Sequence, residues 1–152
     1  MNECILALDL GTETGWAIRL NTGVIFTGTS KHIPHKSNQL MNRWSLFIAM
    51  LNKLADKGEI QVVYYEEVRR HLGTQAAHIY GGFKALLEQW CQERNIQMKG
   101  VGVGEIKKFW TGRGNAQKKD MEQEAERRGF IVKDDNEADA LALLHYGMKE
   151  HG

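Results

Sequence analysis

The chain has 152 residues, the length of one ordinary domain, and 42% hydrophobic with 26% charged residues is the composition of a folded globular protein. A single proline and 16 glycines argue against a disordered linker, and no apolar run approaches the ~20 residues that span a bilayer. The formal net charge of +1 does not by itself mark a nucleic-acid binder. Met1-Asn2-Glu3 lacks the basic start of a secretory leader, so the expected setting is cytoplasmic, with one domain over 1–152 and no membrane contact. Cys4 and Cys91 have no cysteine or histidine at zinc-ligand spacing and read as small buried thiols.

In chain order, residues 3–9 form a nearly continuous apolar run, as in a strand covered on both faces. Gly11-Thr12-Glu13-Thr14-Gly15 reads as a turn, and two further strands over 15–20 and 23–29 are joined at Asn21-Thr22-Gly23, a hairpin signal. A polar loop over 31–37 holds Pro34, with His32 and His35 read as loop residues lacking a ligand partner. Leu40, Trp44, Phe47, Leu51 and Leu54 follow helical spacing over 38–57, and Gly58 stops that helix. A fourth strand covers 60–66, a helix 74–94, a glycine-weakened strand 96–103, a short helix 104–110 closed at Gly112, and a polar helix 115–128 capped by Gly129. The last helix covers 136–148, entered through Asp134 and Glu137 at capping-box spacing.

The first three strands make an antiparallel meander. A crossover helix then lays the fourth strand parallel beside the first, in an α/β sheet. This placement gives the acidic residues their meaning. Asp9 ends the run Cys4-Ile5-Leu6-Ala7-Leu8, and Glu66 ends Val62-Val63-Tyr64-Tyr65, so both emerge at adjacent carboxyl ends of central strands, where ligands bind open α/β sheets. Alternation sends only one of Glu66 and Glu67 towards that place. Asp135 and Asp139 lie one turn apart on one face of the last helix. Gathered carboxylates repel unless a cation holds them, and a set of oxygen donors without clustered histidine or cysteine selects Mg²⁺ or Mn²⁺. Two such ions would suit phosphodiester hydrolysis.

Setting aside those four negative charges moves the rest of the chain from +1 to +5. The basic residues then group as Arg69-Arg70-His71, Lys107-Lys108, Arg113 with Lys118-Lys119, and Arg127-Arg128, the first groups flanking the acidic positions or lying on glycine-rich turns that suit phosphate. Trp110 reads as a core anchor, His145 as a helix-packing residue, and Asp135 equally as a ligand or as the cap of the last helix.

Four landmarks resemble a known family: Leu8-Asp9-Leu10-Gly11-Thr12 with Gly15; Tyr65-Glu66-Glu67-Val68; Lys107 followed by Thr111-Gly112-Arg113-Gly114-Asn115-Ala116-Gln117-Lys118; and Glu137-Ala138-Asp139-Ala140-Leu141-Ala142. Over Ile5 to Tyr146 the chain is similar to the RuvC-type Holliday junction resolvases of the RNase H-like superfamily, in their phage and bacterial branch. The resemblance implies a five-stranded mixed sheet of order 3-2-1-4-5 flanked by helices. It implies a homodimeric endonuclease that nicks two strands of a four-way junction symmetrically, with two Mg²⁺ (or Mn²⁺) ions per site. Asp9, Glu66 and Asp139 match the family's acidic ligands, and Lys107 and Lys118 its phosphate-holding lysines. Arg69, Arg70, Lys108, Arg113 and Lys119 are the further DNA contacts expected. Asn136 stands where relatives place a fourth ligand, with Asp135 one residue earlier on the helix. Arg69 stands where relatives carry an aromatic thought to enter the junction.

Other readings share parts of this pattern. A junction-binding module without catalysis, with Asn136 marking decay of the metal site, would keep the basic residues. A nuclease for other branched DNA or for RNA–DNA hybrids would keep the whole site. An actin-like ATP-binding domain shares the Asp9–Gly15 loop but needs two such domains around its nucleotide, and 152 residues supply one. The helix over 74–90, with Ala76, Ala77, Gly81 and Gly82, is the expected dimer face.

Overall fold

The computed structural model describes residues 2–34 and 41–151. The five strands are β1 (Cys4–Asp9), β2 (Glu13–Arg19), β3 (Ile25–Lys31), β4 (Ile60–Glu67) and β5 (Gln97–Gly102). The helices are α1 (Arg43–Ala55), α2 (Thr74–Glu93), α3 (Val103–Thr111), α4 (Lys118–Arg127) and α5 (Asp135–His151). The sheet order is β3-β2-β1-β4-β5, with β1–β2 and β2–β3 antiparallel and β1–β4 and β4–β5 parallel. This is the expected α/β order, and it follows from a hairpin meander joined by two helical crossovers.

Alternation along the central strands divides the core in two. Ile5, Ala7, Val62 and Tyr64 face α3, α4 and α5, where they pack with Trp110, Met121, Leu141 and Leu144. Leu6, Leu8, Val63 and Tyr65 face α1 and α2 and pack with Phe47, Leu51, Phe83 and Trp90. Both faces are covered, which is why β1 and β4 read as continuous apolar runs. At ~25 cal/mol per Å² of apolar surface, burial of each such side chain contributes about 1.5–3 kcal/mol. Cys4 and Cys91 are free, buried thiols in the second core.

Several boundaries differ from the sequence reading. β2 begins at Glu13 rather than at residue 15, so Gly15 is a strand residue paired with Asp9 rather than the end of a turn. β3 runs on to Lys31, into the stretch read as loop. Helix α1 begins at Arg43, where the Asn42 side chain accepts the Ser45 N–H at 2.9 Å. The earlier start at Asn38, with Leu40, lies outside the described residues, as does His35. Helix α4 begins at Lys118 rather than at residue 115, because the Asp120 carboxylate accepts the Gln117 N–H and fixes the first turn there. Gly112 and Gly129, at φ of 87° and 91°, end α3 and α4 in the left-handed conformation that glycine adopts without cost.

His32 lies just after β3 outside any helix or strand, as expected, but it is buried. It is 2% exposed, its Nε2 lies 3.0 Å from the Thr14 hydroxyl, and its ring packs on Phe47 and Phe83. Burial holds its pKa below the ordinary histidine value, which keeps the ring neutral in the core.

Candidate metal and nucleic-acid site

The site is built where β1 and β4 end. Leu8 pairs with Tyr65, so Asp9 and Glu66, one residue further along each strand, leave the sheet side by side. Helix α5 crosses this edge and brings Asp139. Ligand oxygens of Asp9, Glu66 and Asp139 lie within 4.8 Å of one another, each side chain half-buried. Glu66 is thus the member of the Glu66–Glu67 pair that points to the cluster.

Two contacts place α5 this closely. A Cβ on Gly15 would stand 2.0 Å from the Asn136 carbonyl oxygen, so the first turn of α5 rests on the bare backbone of β2. The second contact is polar. Asp134 accepts the Glu137 N–H at 2.8 Å and the Thr29 hydroxyl at 2.9 Å. The Glu137 carboxylate, 4% exposed, accepts the Thr27 hydroxyl at 2.6 Å and the Lys133 N–H at 3.0 Å. The capping box expected from Asp134 and Glu137 is therefore half present: Asp134 caps the helix, while Glu137 serves the residue before the cap and ties α5 to β3.

Electrostatics identify the carboxylates under strain. Burial, followed by the charges of Glu66 and Asp139, raises the Asp9 pKa well above the ordinary carboxylate value. Burial, followed by the charges of Glu66 and Asp135, raises Asp139 to about 7, against a smaller opposing pull from Lys107 and Lys118. Oxygen-only donors that resist ionising together fit a hard divalent cation, which removes the repulsion. Asp9, Glu66 and Asp139 could hold it.

The remaining residues from the sequence reading divide. Asp135 is near enough to raise Asp9 and Asp139, but it falls outside the close cluster and pairs instead with Lys118 at 3.6 Å. Asn136 is placed by its backbone contact with Gly15 and is half-buried. Lys107 on α3 and Lys118 at the first turn of α4 lie near enough to Asp139 to oppose the rise of its pKa. Lys108, Lys119, Arg69 and Arg70 are exposed. Arg113 is paired with Asp120 at 3.1 Å. Trp110 is 1% exposed and donates its indole N–H to the Met121 carbonyl, so it is a core anchor. His145 bonds to the Leu141 carbonyl and packs on Trp110 and Phe130.

Two features escaped the sequence reading. Leu72, in the loop after β4 and next to Arg69 and Arg70, is fully exposed. An apolar hollow of about 320 Å³, lined by Leu10, Val68, Ala76, Ile79 and Tyr80, lies between the Asp9 loop and α2. The Tyr80 hydroxyl donates to the Glu66 carbonyl and accepts the Val68 N–H, which fixes the end of β4 against α2.

No protein-family model matches the chain, and no curated protein matches it. Solved structures do share its fold. RuvC of Thermus thermophilus, solved in complex with a Holliday junction substrate, superposes with a TM-score of 0.79 at 16% identity, over 99% of this chain and 98% of its own. A second Thermus thermophilus RuvC structure gives 0.72 at 16% identity, over 97% of both chains. The yeast mitochondrial Holliday junction resolvase gives 0.64 at 14% identity, over 97% of this chain and 78% of its own. The chain therefore has the RuvC variant of the RNase H-like fold over nearly its whole length. No helix among the described residues is long and apolar enough to cross a membrane.

Proposed function

We propose that this chain is a divalent-metal-dependent endonuclease that resolves four-way DNA junctions, with 1–152 as one nuclease domain. The observation that carries the reading is the convergence of Asp9, Glu66 and Asp139 from β1, β4 and α5 on a fold shared with RuvC. The three carboxylates would hold Mg²⁺ or Mn²⁺, with Asp9 contributed by the central strand β1. When bound, the ions supply Lewis-acid activation of water and stabilisation of the departing 3′ oxygen.

The protein's own contribution is placement. Lys107 and Lys118, on separate helices, stand beside the acidic cluster and would fix the phosphate next to the scissile bond. Arg69, Arg70, Lys108 and Lys119 would follow the flanking backbone. Arg113 serves first to hold Asp120 and the start of α4. Asp135, paired with Lys118, supports a positioning role, so the fourth-ligand place falls to the Asn136 amide or to water. The two symmetric nicks require two sites, supplied by a homodimer through α2, on which Ala76 and Gly81 are exposed. The setting is the cytoplasm of a bacterial or phage-infected cell.

The test is cleavage of a synthetic four-way junction in Mg²⁺. Asp9→Asn is expected to lower the rate by at least about 10³-fold while junction binding survives, because the basic contacts are intact. Unchanged cleavage by this variant would remove the mechanism. Comparing junction, flap, linear duplex and RNA–DNA hybrid separates junction resolution from other nuclease activities, and wild-type protein that binds without cleaving would be a junction-binding module.

A further inference from the structure

The geometry points to a second interaction surface, away from the acidic cluster: the edge of β3 together with the groove beside it is a docking site for an extended acidic–apolar segment of a partner protein. Among the described residues, β3 pairs on one side only, with β2. The Val24 carbonyl accepts the Leu20 N–H at 2.9 Å, and the His32 N–H donates to the Thr12 carbonyl at 2.7 Å. Bonding alternates along an antiparallel pair, so Phe26, Gly28 and Ser30 also bond inward. The N–H and C=O groups of Ile25, Thr27, Thr29 and Lys31 are left facing outward. Natural edges are commonly blunted by proline, bulges or inward charges. This one has a continuous register from Ile25 to Lys31, no proline, and one charged residue at its end.

The side chains next to that edge supply recognition. Thr27 and Thr29 turn to α5, so Phe26, Gly28 and Ser30 turn to the α1 face. Gly28 leaves room for the Trp16 indole to reach across β3, since a Cβ there would stand 2.5 Å from the ring. Beside it runs a groove of about 520 Å³ with an apolar floor of Trp16, Leu46, Met50 and Leu54. Its rim carries Lys53 and Lys57, the latter lying 4.8 Å over the Phe26 ring, while Lys31 has the parity of Thr27 and Thr29 and pairs with Glu13 at 3.7 Å. Phe26 is 42% exposed. An incoming strand bonded to the outward groups of β3 sends every second side chain to this face. Apolar residues would enter the groove and acidic ones would meet the lysines. Nucleic acid is the weaker occupant, because the outward row of alternating peptide donors and acceptors matches another peptide backbone and not a phosphate chain.

The probe is a fluorescein-labelled nine-residue peptide alternating Asp or Glu with Val, Ile or Phe, titrated against the full chain by anisotropy. Saturable binding is expected, weakened at least tenfold by the double substitution Lys53→Glu and Lys57→Glu. It should also be lost when alternate amides on one edge of the peptide are N-methylated. Junction cleavage by the double variant should match wild type, which separates this surface from the nuclease site. Absence of saturable binding to wild-type protein overturns the proposal. So does binding that ignores both the charge reversal and the N-methylation. Displacement of the peptide by oligo(dT) would assign the surface to nucleic acid. Light scattering that shows a dimer broken by the double variant, without peptide binding, would assign it to a second copy of the chain.

Discussion

Asp139→Asn should make the metal-free protein more stable while abolishing its proposed activity. The folded protein raises this carboxyl from 3.8 to about 7. Each pH unit of such a gap corresponds to ~1.4 kcal/mol, so at pH 8 the ionised group costs the metal-free fold about 4 kcal/mol before solvent screening. Asp139 keeps some solvent contact, which brings the expected gain on neutralising it to about 2–4 kcal/mol. The sign follows from proton counting. Between pH 4 and 7 the native state holds a proton that the unfolded chain has released, so wild-type stability falls as pH rises through this window. Below pH 4 both states are protonated and the penalty vanishes. Urea unfolding in EDTA at pH 4 and pH 8 measures it: the advantage of the variant should be below about 1 kcal/mol at pH 4 and reach its full value at pH 8. Added Mg²⁺ should reverse the order by stabilising only the wild type. A variant no more stable than wild type at pH 8, or equally stabilised at both values, would refute the electrostatic account.

Three further outcomes follow from the same geometry. Protons compete with the ion at Asp9 and Asp139, so the Mg²⁺ concentration for half-maximal cleavage should rise about tenfold per pH unit per displaced proton as pH falls below 7, and flat metal dependence from pH 6 to 8 would contradict this. Gly15→Ala should cost more than about 3 kcal/mol in urea unfolding, and Mn²⁺ affinity by calorimetry should fall with it, because the new methyl meets backbone rather than a movable side chain. Glu137→Gln should cost about 2 kcal/mol, since one amide oxygen must replace two acceptor oxygens and an NH₂ group would face either the Thr27 hydroxyl or the Lys133 N–H.

The sheet was readable because its determinants are local. Continuous apolar runs marked β1 and β4, the Asn21-Thr22-Gly23 turn marked the β2–β3 hairpin, and the helical crossover placed β4 parallel beside β1. Asp9 and Glu66 stood out for the same reason, as charges ending apolar strands. What was missed depends on contacts distant in sequence. Gly15 looked like a turn glycine, and only the arrival of Asn136 reveals it as a seat for α5. Glu137 looked like a local cap, and its Thr27 partner lies 110 positions away. His32 sits in a polar stretch whose pattern carries no sign that Thr14, Phe47 and Phe83 close around it. Asp135 shares a helix face with Asp139, yet one turn of rise takes it out of the close cluster and towards Lys118.

The seating of α5 on β2 and β3 also sets an order of events during synthesis. Asp139 follows Asp9 by 130 positions, and the helix carrying it is the last element described. A ribosome-bound chain can hold all five strand sequences while its acidic centre still lacks one corner and the face of β1 and β4 that α5 covers is still open. The third carboxylate of the proposed metal site is supplied only with α5, so a chain cut short before Asp139 should lack the Mn²⁺ affinity expected of the full-length protein.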